Sequence, residues 1–285
     1  MTRVVYTSAP QLPLARMLLP HRIVRDLLRH RELIVAYTKR EFQTAHRGTY
    51  LGLAWSVLSP LIMLALFTFV FGGIFGGKFN AKIPETPAEF ALALFVGLGF
   101  FNVFAQSMGA ASGLVIGNAT FVKSLAFPLE ILPVASVLNT LLNLAIALAI
   151  CLSAQLVLHG FLHWTTIWLP VHVICIVLLG LGISWFLASL SVFIRDVPAI
   201  VGPINVVLMF VSGVFFPLSV MSPRTRWLAE LNPLAIIIDQ ARGCLLYGEP
   251  PALGKLAYVI VFGLVFAVAG YAFFMKAKPA FADVI

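Results

Sequence analysis

ILPVASVLNTLLNLAIALAICLSAQLVLHGFLHWTTIWLPVHVICIVLLGLGISWFLASLSVFI, residues 131–194, runs from end to end without an Asp, Glu, Lys or Arg. A helix needs about 20 mostly apolar residues to cross a bilayer, so this stretch is too long for one crossing and long enough for two. It divides at His159-Gly160-Phe161-Leu162-His163-Trp164, a polar and aromatic turn of the kind found at a membrane interface. Further charge-free stretches lie on both sides of it. Together they predict six crossings over 51–77, 90–116, 131–158, 165–194, 197–219 and 255–275.

Composition agrees with that reading. Of 285 residues, 61% are hydrophobic and only 11% charged, and the mean hydropathy is +1.00. A soluble domain has about 25% charged residues, so a soluble enzyme, a disordered chain and a nucleic-acid-binding domain are excluded. The expected fold class is all-α: a polytopic membrane protein with residues 1–48 as a cytoplasmic N-terminal segment and 49–285 as the six-helix transmembrane domain. The net charge of +8 reads as topology, because basic residues gather on the cytoplasmic side of membrane proteins. Arg16, Arg22, Arg25, Arg29, Arg31, Lys39, Arg40, Lys123, Arg195, Lys276 and Lys278 fall on one side of the six crossings, with both termini. The expected location is the bacterial inner membrane, with the termini in the cytoplasm. No cleavable signal peptide is expected, since the first apolar stretch begins some fifty residues in and exceeds an h-region of about 7–15 residues.

Two segments fit neither a crossing nor a simple loop. From His21 to Arg47, apolar and basic residues alternate at helical spacing, which predicts an amphipathic helix on the cytoplasmic interface. From Ser222 to Gly254, Ser222-Pro223 and Asn232-Pro233 mark turns or helix starts. The stretch after them is apolar, too short to cross, and carries Asp239 and Arg242. Such segments are better read as re-entrant helices, buried in protein or facing water.

The chemistry-bearing motifs are few. Gly72-Gly73-Ile74-Phe75-Gly76-Gly77-Lys78 has the spacing of a phosphate loop, but Phe79 stands where Ser or Thr must hold magnesium and no strand precedes it. Cys151, Cys175 and Cys244 are scattered, and the six histidines show no ligand spacing, so no metal site is expected. His159 and His163 read as solvated at the turn. Asn118-Ala119-Thr120 is a formal glycosylation sequon on the cytoplasmic side and is discounted. Gly109, Gly113 and Gly117 repeat at the small-xxx-small interval of packed membrane helices.

No charged residue falls inside the six crossings except Lys255, the first residue of the last one. Since intramembrane charges mark ion and proton routes, an ion-coupled carrier is disfavoured and energy is expected from elsewhere. Asn102, Gln106, Asn139, Asn143, Gln155 and Asn205 are neutral polar groups there, suited either to interhelical hydrogen bonds or to substrate contact. Trp55, Phe67, Phe71, Phe95, Phe101, Phe104, Phe215 and Phe216 are candidates for an aromatic lining over which sugar rings slide.

Four stretches carry a resemblance in the order in which they occur. They are Arg31-Glu32-Leu33 through Lys39-Arg40-Glu41-Phe42 into Tyr50–Pro60; Asn118 through Phe121-Val122-Lys123 to Phe127-Pro128-Leu129-Glu130; Phe193-Ile194-Arg195-Asp196-Val197; and Gly213-Val214-Phe215-Phe216-Pro217 with Leu231-Asn232-Pro233-Leu234. With them the chain resembles the permease subunit of type-2 ABC exporters, in the branch that exports O-antigen, capsule and teichoic acid. The resemblance implies a permease homodimer driven by two copies of a cytoplasmic ABC ATPase, which holds the ATP and magnesium, so that this chain itself binds no cofactor. It also implies a polysaccharide substrate linked to undecaprenyl, and no enzymatic activity in this chain. Arg31, Glu32, Tyr37, Lys39, Arg40 and Phe42 would belong to a gate helix. Asn118, Phe121, Lys123, Phe127, Pro128 and Glu130 would couple to the ATPase. Pro217, Asn232, Pro233, Asp239 and Arg242 would belong to the outer gate. A drug or small-lipid exporter is the alternative, followed by an intramembrane glycosyl- or acyltransferase, for which no His/Asp or Asp/Glu constellation is visible.

Overall fold

The computed structural model describes residues 20–45, 50–70, 86–123, 127–217 and 223–285. Among them every regular element is helical, and five helices are long and apolar enough to cross a membrane. Two helices precede the first crossing, α1 (Pro20–Arg29) and α2 (Arg31–Ala45). The single helix expected over 21–47 is therefore broken. At His30 the backbone N–H turns back to the Leu27 carbonyl at 3.1 Å, and the ring Nδ1 lies 2.9 Å from the Asp26 carbonyl. This tighter turn interrupts the helical ladder.

The crossings themselves are α3 (Trp55–Phe67, within the apolar run Gly52–Val70), α4 (Pro87–Gly117), α6 (Ile131–His159), α7 (Leu169–Phe193) and α11 (Leu253–Ala277). The short α5 (Ala119–Val122) follows α4, and α8 (Val197–Val211), α9 (Pro223–Leu231) and α10 (Pro233–Arg242) lie between α7 and α11. A four-residue helix, α12 (Phe281–Val284), closes the chain. The fifth crossing was expected over 197–219, yet α8 spans fifteen residues, about 22 Å at 1.5 Å per residue. It ends at Val211, and Gly213 beyond it takes φ +65°.

Helix α7 is the centre of the bundle, packed between α4 and α11, while α6 flanks α4 and carries α2 on its outer side. The α7–α11 crossing is the tightest. A Cβ at Gly270 would fall on the Gly182 carbonyl oxygen, and one at Gly182 would come within 2.9 Å of the Phe266 backbone. The two backbones thus meet without side chains between them, as small residues allow in a bilayer. By contrast Gly109, Gly113 and Gly117 meet nothing within 4 Å. Their small-xxx-small face is turned away from the chain's own helices, and the packing expected of them falls to Gly182 and Gly270 instead. Helix α3 buries only Phe67.

At the α4 start the Thr86 hydroxyl accepts from the Glu89 N–H at 3.3 Å, Glu89 returns to the Thr86 N–H, and Pro87 fills the first helical position. Glu89 then reaches His159 Nε2 at 2.7 Å. His159 is not simply solvated. It clamps the C-terminal end of α6 to the N-terminal end of α4.

Candidate functional site

Helix α2 and the 118–130 loop meet directly. The Tyr37 hydroxyl donates to Asn118 Oδ1 at 3.0 Å. Burial, and then the nearby Glu41, push the Tyr37 hydroxyl above its ordinary value, so it stays protonated and remains the donor at neutral pH. The Tyr37 ring meets Phe121 edge-on at 6.4 Å, and Phe121 stacks on Phe127 at 4.3 Å. Next in sequence, the buried Thr38 hydroxyl donates to Ile34 at 2.8 Å and lies 3.5 Å from the Ala135 carbonyl of α6. Burial also raises the Glu41 carboxyl, with Arg40 pulling it back. Arg31, Glu32, Lys39 and Arg40 are exposed on α2, Phe42 is half-buried, and Lys123 is exposed beside the half-buried Pro128.

Glu130 faces inward. It is 8% exposed, its carboxylate pairs with Lys278 at 2.6 Å, and its backbone carbonyl accepts from Trp185 Nε1 at 3.1 Å. The end of the loop is thereby fastened to the C-terminal segment and to α7. The role of Lys278 was not legible in the sequence, where it is one of several lysines near the end.

Within the bilayer region a cavity of about 540 Å³ opens between α3, α4 and α6. Trp55 and Phe95 line it, with Ser56, Ser59, Asn102, Gln106 and Asn143. Phe67, Phe101 and Phe104 are buried in the helix core instead, and Phe71 lies outside the described residues, as does the 72–78 glycine run. Phe215 and Phe216 are half-buried after α8, with Phe215 5.6 Å from Phe210.

Near the end of α8, Asn232 caps α10 through the Leu234 N–H at 3.0 Å and donates to Ser212 at 3.1 Å. Pro233 takes the first position of α10 and Pro217 is half-buried, while Asp239 is exposed. Arg242 is 3% exposed. Its guanidinium donates to the Ala93 carbonyl at 2.9 Å and the Val214 carbonyl at 3.2 Å, with Gly213 at 3.5 Å. Gly97 makes room for it, since a Cβ there would come within 2.5 Å of the guanidinium. One arginine therefore joins α10, α4 and the chain leaving α8, using a rigid fork of donors that a lysine lacks.

The family model of the ABC-2 type transporters matches residues 32–246, from α2 to just beyond Arg242. The chain belongs to the ABC-2 type transporter family. Among curated proteins it is similar to the O-antigen export system permease protein RfbA of Myxococcus xanthus, 25% identical over 267 residues, covering 93% of this chain and 99% of that protein. It is also similar to the RfbA permease protein of Klebsiella pneumoniae, 26% identical over 259 residues, covering 89% and 95%. In this ABC-2 chain, Tyr37, Asn118, Phe121 and Phe127 are brought together by the fold. Trp55 and Phe95 share one cavity. Among the described residues no three His, Cys, Asp or Glu side chains gather where they could hold a metal ion, and the three cysteines are buried.

Replacing Tyr37 with phenylalanine removes one hydrogen bond and leaves the Phe121 contact. A net loss of about 0.5–1.5 kcal/mol between α2 and the loop is expected. Coupled ATP hydrolysis by the assembled transporter is the measurement, and an unchanged rate would mean that the α2–loop contact transmits nothing.

Proposed function

We propose that this chain is the membrane-spanning permease of an ATP-driven exporter that carries a lipid-linked polysaccharide of O-antigen type across the bacterial inner membrane. It works as a homodimer with two copies of a separate ABC ATPase, which binds the ATP and magnesium. The observation that carries the reading is the similarity to named O-antigen export permeases over nearly the whole of both chains, within a shown ABC-2 family.

The geometry supports six crossings and a common side for both termini. Glu130 at the foot of α6 pairs with Lys278 after α11, so these two points lie at one face of the membrane. Three full-length crossings, α6, α7 and α11, separate them, an odd number. A fourth passage is required, and α8 with residues 212–217 is the segment available for it. Helices α9 and α10 then dip back from the far side, with α10 against α4, α7 and α11 and α9 against α10. Lys39, Arg40, Lys123, Arg195, Lys276 and Lys278 all fall on the Glu130 side, which makes it the cytoplasmic one.

In this reading the ATPase closes on ATP and pushes the 118–130 loop. The exposed Lys123 and its neighbours meet the ATPase, while Glu130 fastens the loop to its own chain. The push reaches α2 through Tyr37 and Asn118 and opens the cytoplasmic entrance for a lipid-linked glycan, while α10 and Arg242 hold the outer end. Membrane lipids surround the rest.

The test is co-purification with the ABC ATPase encoded beside it, followed by hydrolysis in lipid with and without lipid-linked O-polysaccharide. A two-plus-two complex stimulated by the glycan is expected. A complex indifferent to glycan would move the substrate to drugs or small lipids, and no complex at all would sink the reading.

A further inference from the structure

We propose that the amides of Asn102, Gln106 and Asn143 form a contact site for the hydroxyl groups of a neutral glycan, in the cavity between α3, α4 and α6. The proposal rests on the polysaccharide reading above and says which residues of this chain touch the sugar.

The three amides come from two helices, Asn102 and Gln106 one turn apart on α4 and Asn143 on α6, and all open into the same cavity of about 540 Å³. Each is exposed, and none has a hydrogen-bond partner among the described residues. At membrane depth that arrangement is costly unless water or a polar ligand is present, because lipid offers no hydrogen bonds. No charged side chain lines the cavity. An amide carries both a donor and an acceptor, which matches the dual character of a sugar hydroxyl. Being uncharged, it holds that hydroxyl loosely enough for a chain to move on. Trp55 and Phe95 stand in the same walls and offer apolar faces to the C–H side of a sugar ring. Gly109, Gly113 and Gly117 continue down α4 below Gln106 with nothing within 4 Å of their Cβ positions. That face of α4 is therefore not packed against the described residues.

The bland alternative is that the amides bond across to a second copy of the chain. The two readings separate in cells that make the polysaccharide. Asn102→Leu, Gln106→Leu and Asn143→Leu, singly and together, replace each amide by an apolar group of nearly the same size. Gln106→Asn and Asn102→Ser keep a polar group. The triple leucine variant is expected to lower surface polysaccharide at least about tenfold, because three hydrogen-bonding groups are lost together. Its assembly with the ATPase should be intact, and each polar variant should export more than the leucine variant at the same position. Normal export by the triple variant overturns the site, as does loss of the dimer in the leucine variants.

A second measurement covers misfolding. The native cysteines are buried, so Gln106→Cys supplies the accessible thiol. In inverted membrane vesicles, a membrane-impermeant maleimide should label it, and vesicles from cells stalled with glycan inside the transporter should show protection. An unlabelled or unprotected thiol counts against the proposal. Deleting the permease gene tests the parent reading separately. If the polysaccharide still reaches the surface without it, the exporter assignment fails, whereas loss on deletion with normal export by the leucine variants removes only the amide site.

Discussion

Substituting alanine for Gly270 should destabilise the protein by about 2 kcal/mol or more, although alanine is the better helix former by about 1 kcal/mol. The new Cβ would fall on the Gly182 carbonyl oxygen. The obstacle is backbone on both sides, so no side chain can swing away. Relief requires α7 and α11 to separate along the seam where they pack closest, and α7 also carries α4. Gly254, at the start of α11, is the matched control, because a Cβ there meets nothing within 4 Å. Gly254→Ala should be neutral or slightly stabilising. The three buried cysteines supply the readout, since a thiol-reactive fluorophore reports their exposure as the detergent-solubilised protein is heated. Equal midpoints for the two alanine variants would mean that the seam yields more easily than its geometry implies.

Arg242→Met is the other large effect. Buried ionic groups are often replaced by apolar ones without loss, provided that their partners go too. Here the partners include backbone carbonyls of Ala93, Gly213 and Val214, and these remain. The Gly213 and Val214 carbonyls lie beyond the last turn of α8 and depend on the guanidinium, whereas Ala93 sits inside α4. An unsatisfied buried acceptor costs about 1–3 kcal/mol, so a loss of about 3 kcal/mol is expected overall. Arg242→Lys should fall between, because one ammonium cannot span acceptors on two separate segments. Thermal midpoints of the three proteins give the ranking. A methionine variant as stable as the parent would show that α10 is held by its apolar face alone.

Some parts of the molecule are legible in the chain and others only in the fold. Five of the six crossings announced by charge-free length came through clearly, and so did the turn at His159–Trp164 and the helix start at Asn232-Pro233, because each depends on local composition. The break at His30 did not, since apolar and basic spacing runs through it undisturbed and only a backbone turn marks it. Helix α8 was expected to run to 219, because hydropathy does not register the departure of the chain at Gly213. The glycines at 109, 113 and 117 have the motif of a packed face and are turned outward. Gly182 and Gly270 lack that spacing within one helix, because their match is between helices. Arg242 and Glu130 were singled out as charges, but the partners that define them are carbonyls far along the chain and a lysine 148 positions away. The 102, 106 and 143 amides were visible as polar groups, and only the fold gathers them into one cavity.

Residues 1–48 and 49–285 make a natural division along the chain, yet the Tyr37–Asn118 bond and the Tyr37–Phe121–Phe127 ring series run across it. In mechanical terms α2 and the 118–130 loop share their degrees of freedom. Asn118 lies 81 positions from Tyr37, with two crossings in between, and the contact short-circuits both of them. A displacement of the loop at Asn118 therefore reaches α2 directly through this contact. The intervening helices need not bend to pass it on.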